Sequence, residues 1–141
     1  MEKEVYSAVL NVMKAAKKML IVGNTMENMK KEVGKIMEFE LIKLGLLKQD
    51  EVDNQNEDAP LYKKYFPHGI SHHLGLDVHD VGNRYEVFKV GMVFTCEPGI
   101  YIPEEKLGIR LENDILITEN GIEDLMTNIP IEIEEIEALM Q

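Results

Sequence analysis

The sequence predicts an α+β fold in which helices come first and strands follow. Over the first third of the 141 residues, apolar side chains recur every three or four positions, as on one face of a helix. Two later stretches, GMVFTCEPG and GIRLENDILIT, alternate polar and apolar side chains, as half-buried strands do. A helical pattern, IEIEEIEALM, closes the chain at about residues 132–140. At this length, one domain spanning residues 1–141 is expected.

Two amphipathic helices are predicted within about residues 2–45. The first covers residues 2–22, and Gly23 is a plausible stop. Asn24 is a possible N-cap of the second helix, because Glu27 follows three residues later as in a capping box. Gly45 then ends the second helix. The methionines on these faces are expected to fill the core rather than to form a binding stripe: Met13, Met19, Met29 and Met37.

Residues 48–60, KQDEVDNQNEDAP, predict an acidic surface loop between the helices and the strand-rich part of the chain. Their Asp and Asn spacing lacks the central Gly and closing Glu of a calcium loop. A plain loop is therefore favoured over a calcium site.

The two alternating stretches predict a pair of facing carboxylates. In the first, Thr95 and Glu97 share one face while Cys96 points to the other, and in the second Arg110 and Glu112 share a face. If the stretches pair antiparallel, Glu97 and Glu112 come onto one surface, where they would repel unless a cation lay between them. The alternation also makes Cys96 a poor ligand and predicts its burial.

Charge and composition exclude several classes of protein. The net charge of −11 and the pI near 4.8 argue against nucleic acid, which binds clustered Lys and Arg. No apolar run approaches the ~20 residues that span a bilayer. The single cysteine and the absence of a signal-like start give no support to secretion, so a soluble, cytoplasmic protein is expected.

All four histidines lie in residues 68–79, HGISHHLGLDVH. Such crowding among glycines indicates that at least one is functional, although periodicity cannot orient their side chains. Histidine together with carboxylates suits Mn²⁺, Co²⁺, Fe²⁺ or Zn²⁺ better than copper. The chain has no Gly-x-Ser-x-Gly elbow and no phosphate-binding glycine loop, so serine hydrolase and nucleotide-binding functions lack their defining motifs.

Three blocks, FPHGISHHLGLDVHDVG, GMVFTCEPGIYI and LGIRLENDILIT, closely resemble the C-terminal part of Xaa-Pro aminopeptidases, in the aminopeptidase P and prolidase family of pita-bread metallopeptidases. The resemblance extends to the leading helices and LIKLGLL, and so covers essentially the whole chain. It implies the C-terminal half of a pita-bread fold: a curved, mostly antiparallel sheet with helices packed on one face.

The resemblance also implies roles for individual residues. His72 and Glu97 would bind one metal, and Glu112 would bridge two. Glu97 would also take the proton from the attacking water. His79 and His68 would contact substrate and stabilise the tetrahedral intermediate. Two positions complete the assignment: Arg110 would support the site, and His73 has no implied role.

The implied activity is hydrolysis of the bond between an N-terminal residue and proline, with two metals, Mn²⁺ first and Co²⁺ or Zn²⁺ as alternatives. Substrates would be peptides with proline in the second position. A prolidase acting on Xaa-Pro dipeptides has nearly the same blocks, and Ser71 favours the aminopeptidase. A non-catalytic pita-bread binding module is the alternative outside enzymes.

Relatives of this kind bind their metals through five protein ligands, two of them aspartates on strands that precede the first helix. Asp50, Asp53 and Asp58 follow both helices and offer no equivalent pair. The chain is therefore expected to hold at most one metal and to be inactive alone. Self-association, or pairing with the missing half, is also expected, because half of such a sheet would leave apolar surface exposed.

Overall fold

The computed structural model describes residues 1–83 and 85–141. Two long helices lead the chain and five short strands follow, before a final helix. The helices are α1 (Glu2–Lys17), α2 (Met26–Lys43), α3 (Gln49–Asp53) and α4 (Ile133–Leu139). The strands are β1 (Val93–Cys96), β2 (Gly99–Ile102), β3 (Leu107–Arg110), β4 (Asn113–Thr118) and β5 (Gly121–Asp124). Single 3₁₀ turns occupy Leu61–Lys64 and Pro103–Glu105. This order confirms the predicted α+β class.

Both predicted helices form, but the boundary between them differs from the prediction. Helix α1 ends at Lys17, before the predicted residue 22, because the chain turns there and buries Leu20 completely. Thr25, not Asn24, caps α2: its Oγ1 accepts a hydrogen bond from the Asn28 backbone amide at 3.2 Å. The side-chain amide of Asn24 instead donates to the Met19 carbonyl at 2.7 Å, across the turn.

The second helix ends as expected. Leu44 is its C-cap, and Gly45 follows at a φ of +73°, the left-handed conformation that glycine adopts without steric cost. Beyond it, the segment predicted as a plain loop contains the five-residue helix α3, so that part of the prediction was wrong.

The strands form two antiparallel ribbons, one of three strands and one of two. Strand β1 pairs with β4, which also pairs with β5, whereas β2 pairs with β3. The predicted strand over residues 108–118 is therefore two strands, interrupted at Leu111 and Glu112. The facing interruption lies at Glu97 and Pro98, where proline has no amide hydrogen to donate to a ladder. Pro98 accepts a hydrogen bond from the Leu111 amide at 3.1 Å, which holds the two interruptions side by side.

One hydrophobic core joins the helices to the sheet. Met13, Met29 and Met37 are fully buried in it, as predicted, and Met19 is partly buried. The inward row of β4 reads Asn113, Ile115 and Ile117, and Cys96 is fully buried beside it; the core-facing residues of the strands are Phe94, Cys96, Ile100, Ile102, Ile115 and Ile117. Within the described part of the chain, no helix is long and apolar enough to cross a bilayer.

Candidate metal centre

Three potential metal ligands converge where the two ribbons are interrupted. His72, Glu97 and Glu112 each offer one ligand atom, and these atoms all lie within 4.8 Å of one another. His72 Nε2 is 3.2 Å from Glu97 Oε1. Elsewhere in residues 1–83 and 85–141, no other set of three His, Cys, Asp or Glu side chains approaches this closely. The structure thus brings together the two glutamates that strand alternation placed on one surface.

The register of the sheet places the glutamates opposite each other. Cys96 and Asn113 form the last partners of the β1 and β4 ladder. Glu97 follows Cys96 and Glu112 precedes Asn113, so one further step along the same antiparallel register makes the two glutamates neighbours. Glu97 is largely buried, whereas Glu112 is exposed.

His72 is positioned by backbone bonds along the edge of β1. The His72 carbonyl accepts from the Thr95 amide at 3.0 Å, and the Ile70 carbonyl accepts from the Glu97 amide at 2.9 Å. His72 Nδ1 lies 2.9 Å from the His73 carbonyl. Because a carbonyl only accepts, this contact places a proton on Nδ1, which leaves Nε2, the nitrogen that faces Glu97, as the atom available to a metal. The ring is thus oriented as a metal ligand requires.

Thr95 connects the histidine to the glutamate. Its hydroxyl accepts from the His72 backbone amide at 3.1 Å and donates to Glu97 Oε1 at 3.1 Å. The side chain is only 1% exposed, so these bonds are shielded from water. Sequence reasoning gave Thr95 no role, although alternation had placed it on the same face as Glu97.

Arg110 lies beside the second oxygen of Glu97, with its Nη1 3.6 Å from Oε2. The guanidinium is about half exposed, so the contribution of this ion pair to stability is small. The supporting role that the resemblance implies for Arg110 stays a prediction.

The other histidines occupy three different settings. His79 is exposed, and its ring lies 4.2 Å from that of His72. His68 lies outside the three-residue cluster: its Nε2 is 2.9 Å from the Tyr101 hydroxyl, and its ring meets Phe66 edge to face. His73 packs against the Phe94 ring at 4.4 Å and lies at the core rather than at the cluster. Tyr101 was missed by the sequence analysis, because a tyrosine in an apolar strand carries no distinguishing pattern.

The cluster fits a divalent metal. One imidazole and two carboxylates form a borderline to hard ligand set, suited to Mn²⁺, Co²⁺, Fe²⁺ or Zn²⁺, and three ligands leave further coordination positions open. Cys96 adds no thiolate, because burial raises its pKa to about 12 and its Sγ points towards the Met13 carbonyl.

The chain belongs to Metallopeptidase family M24, whose family model matches residues 1–119. It is 42% identical to the Xaa-Pro aminopeptidase of Escherichia coli over 99% of its own length and 34% of that protein. With the Xaa-Pro aminopeptidase of Haemophilus influenzae it shares 40% identity, over 99% of its length and 35% of the relative.

Solved structures of aminopeptidase P support the same family assignment. Escherichia coli aminopeptidase P with the inhibitor Pro-Leu superimposes with a TM-score of 0.86 at 42% identity, covering 99% of this chain and 34% of that one. A zinc-substituted form in complex with product gives 0.85 at 42% identity, over 98% and 34%. These comparisons confirm the predicted family and the pita-bread fold. The chain spans about a third of the length of these relatives.

Proposed function

We propose that this chain carries part of the active site of a metal-dependent peptidase that hydrolyses the bond between an N-terminal residue and a following proline. The observation that carries the proposal is the convergence of His72, Glu97 and Glu112 within 4.8 Å at the interruption of two ribbons. The relatives named Xaa-Pro aminopeptidase support the choice of substrate: peptides with proline in the second position.

In this proposal, His72, Glu97 and Glu112 hold the divalent metal, with Mn²⁺ preferred and Co²⁺ or Zn²⁺ as alternatives. A metal bound there would polarise the scissile carbonyl and lower the pKa of a water molecule. Histidine and carboxylate ligands permit each of these three ions, so the donor set supports the class of metal rather than one member of it.

The remaining side chains act on protons and on developing charge. Glu97 accepts a proton at Oε1, the atom that also receives the Thr95 hydroxyl bond. Thr95 contacts Oε1 of Glu97 and Arg110 contacts Oε2, so both carboxylate oxygens are held in place for that transfer. His79, exposed beside His72, is placed to donate a hydrogen bond to the carbonyl oxygen under attack. His68, oriented by Tyr101, is assigned to contact with substrate.

A complete centre of this kind would hold two metals bridged by Glu112, with two further aspartate ligands. Within the described residues no other carboxylate joins the three-residue cluster. We therefore expect at most one bound cation and no turnover from these 141 residues alone. Pairing with a chain that supplies the remaining ligands, self-association and a cytoplasmic location all stay predictions.

Calorimetric titration of the metal-free chain with Mn²⁺ tests the proposal. One weak site per chain and no second site is expected, with at least tenfold weaker binding in His72→Ala. Binding should be unchanged in Glu119→Gln, which removes a carboxylate from the exposed β4–β5 turn, outside the cluster. Equal binding by wild type and His72→Ala would contradict the assignment of the centre.

An assay for release of the first residue from Xaa-Pro-Xaa and Xaa-Pro peptides tests the reaction. No release by the chain alone is expected. Recovery of tripeptide cleavage on adding a chain that supplies the remaining strands would support the aminopeptidase, whereas recovery with the dipeptide alone would identify a prolidase. Metal binding without cleavage in the completed protein would favour the non-catalytic module.

A further inference from the structure

A partly buried polar network lies directly behind the glutamates. The side-chain amide of Asn113 donates to both oxygens of Asp124, at 3.0 and 2.8 Å. Lys17, from the end of α1, donates to Asp124 Oδ2 at 2.8 Å, and the Met126 backbone amide donates to Oδ1 at 3.0 Å. Lys17, Asn113 and Asp124 are called the Asp124 network below.

The network holds the residue that follows Glu112. Asn113 is the first residue of β4, is 8% exposed, and pairs with Cys96 in the ladder. Asp124 is the last residue of β5, and the Leu125 amide after it donates to the Asp114 carbonyl at 2.9 Å. The network therefore connects α1, β4 and β5 at the end of the sheet where the ligands lie.

The Glu112 carboxylate depends on its backbone for its position. Among the described residues, no hydrogen bond and no ion pair within 4.0 Å holds this side chain, in contrast to Glu97, which Thr95, His72 and Arg110 contact. Glu112 also lies outside any strand, between β3 and β4. Its backbone is fixed on one side by the Leu111 to Pro98 hydrogen bond and on the other by Asn113.

We propose that the Asp124 network is a positioning device that holds Glu112 in register with Glu97 and His72 for metal binding. The proposal rests on the function proposed above. A partly buried ion pair such as Lys17–Asp124 adds little net stability, so stability alone is a weak account of this network. A carboxylate that receives four hydrogen bonds, from α1, from β4 and from the turn after β5, does, however, fix the direction of the Asn113 side chain, and through it the path of the preceding residue.

The charge state of Asp124 supports this arrangement. Burial raises the pKa of Asp124, but hydrogen bonds from Lys17, Asn113 and the Met126 amide outweigh burial and lower it overall. The carboxylate therefore stays ionised and keeps all its acceptor capacity at neutral pH.

The test compares Mn²⁺ affinity with thermal stability in the full chain. Asn113→Leu removes both amide hydrogen bonds, and its Mn²⁺ affinity is expected to fall about tenfold, as for other changes behind metal ligands. Asp124→Ala removes the acceptor of all four hydrogen bonds, and its Mn²⁺ affinity is expected to fall about tenfold relative to Glu119→Gln, which makes the same change of net charge. Tyr6→Phe is the matched control, because it removes a part-buried hydrogen bond to the Ile131 carbonyl away from the site. It should lower the melting temperature with no change in affinity.

Wild-type affinity in Asn113→Leu, with only the melting temperature lowered, would overturn the proposal. So would an affinity equal to that of Glu119→Gln in a folded Asp124→Ala protein. If Asn113→Leu does not fold, Asn113→Ser is measured with the same expectation.

A second measurement separates this proposal from the proposed function. If wild type and Glu112→Ala bind Mn²⁺ equally weakly, the function fails, and the NMR order parameter of the Glu112 amide in the metal-free chain decides the positioning claim. It is expected to fall from about 0.85 in wild type to below about 0.6 in Asn113→Leu. An unchanged value would overturn the claim.

Discussion

Replacing Glu112 by glutamine should have opposite effects on the metal-free and metal-bound protein. In the metal-free chain, Glu97 and Glu112 place carboxylate oxygens within 4.8 Å of each other. At that separation two unit charges repel by about 1 kcal/mol in a water-like dielectric, which suits the exposed Glu112. Arg110 offsets part of this repulsion, because it pairs with Glu97. Glu112→Gln should therefore leave the free energy of unfolding unchanged or raise it by up to about 1 kcal/mol, equivalent to about 3 °C in melting temperature.

Bound Mn²⁺ should instead make the wild type more stable than Glu112→Gln. At a Mn²⁺ concentration 100 times the wild-type Kd, binding stabilises the wild type by about 2.7 kcal/mol, since only the folded state binds. If glutamine weakens binding about 100-fold, the same concentration stabilises the variant by only about 0.4 kcal/mol. The wild type should then become the more stable protein by about 1 to 2 kcal/mol.

Thermal unfolding of both proteins, with chelator and with Mn²⁺, measures the two effects. Glu119→Gln serves as the control, because it makes the same change of net charge in the β4–β5 turn. A Glu112→Gln variant that is less stable than wild type with chelator, or that gains as much stability from Mn²⁺, would refute the reasoning.

Three further outcomes are expected. Phe94→Ala, at a fully buried ring that packs against Phe88 and His73, should lower the free energy of unfolding by about 3 to 5 kcal/mol in urea titrations, and a loss below 1 kcal/mol would contradict its core position. The pKa of Asp124 is lowered in the folded state, so the unfolded chain binds more protons as the pH falls. The ionised Asp124 therefore stabilises the folded protein fully above its ordinary pKa of 3.8, and this stabilisation is lost as the pH falls through the lower pKa of the folded state. Urea midpoints between pH 5 and 2 should therefore fall less steeply in Asp124→Asn than in wild type, and equal slopes would exclude this cause. Cys96, buried and with its pKa raised to about 12, should react with a thiol reagent at pH 8 only after unfolding, so rapid reaction of the native protein would contradict its burial.

Periodicity predicted the elements of this fold better than their ends. The spacing of apolar residues identified both long helices and the burial of Met13, Met29 and Met37, because one face of each helix meets the core. It extended α1 too far, since Ile21 and Val22 continue an apolar pattern while the chain has already turned to bury Leu20. The cap of α2 fell on Thr25 because Asn24 is used to close that turn.

Part of the site was predictable, because alternation along a strand determines which side chains lie on the same face of the sheet. Alternation and antiparallel pairing were sufficient to bring Glu97 and Glu112 together, because side chains on facing strands share a surface. Alternation could not reveal that the second strand breaks at Leu111 and Glu112, because the break is a change of hydrogen-bond partner rather than of side-chain pattern. Pro98 was the available signal, as a residue that cannot continue a ladder.

The orientation of the histidines could not be predicted from their spacing. His72 reaches the glutamates through backbone pairing with β1 and a hydrogen bond to its own neighbour's carbonyl. His73, one residue later, packs against Phe94 instead. Tertiary contacts, not the local sequence, separate the two side chains.

Location of the metal itself would test the account most directly. Crystals of the chain soaked in Mn²⁺ and measured near the manganese absorption edge would show bound metal as an anomalous difference peak. The account predicts one such peak per chain, about 2.0–2.3 Å from His72 Nε2 and from a carboxylate oxygen of Glu97 and of Glu112, distances usual for first-row metals. A peak at the acidic segment of residues 48–60, or no peak at the three ligands under saturating Mn²⁺, would contradict it.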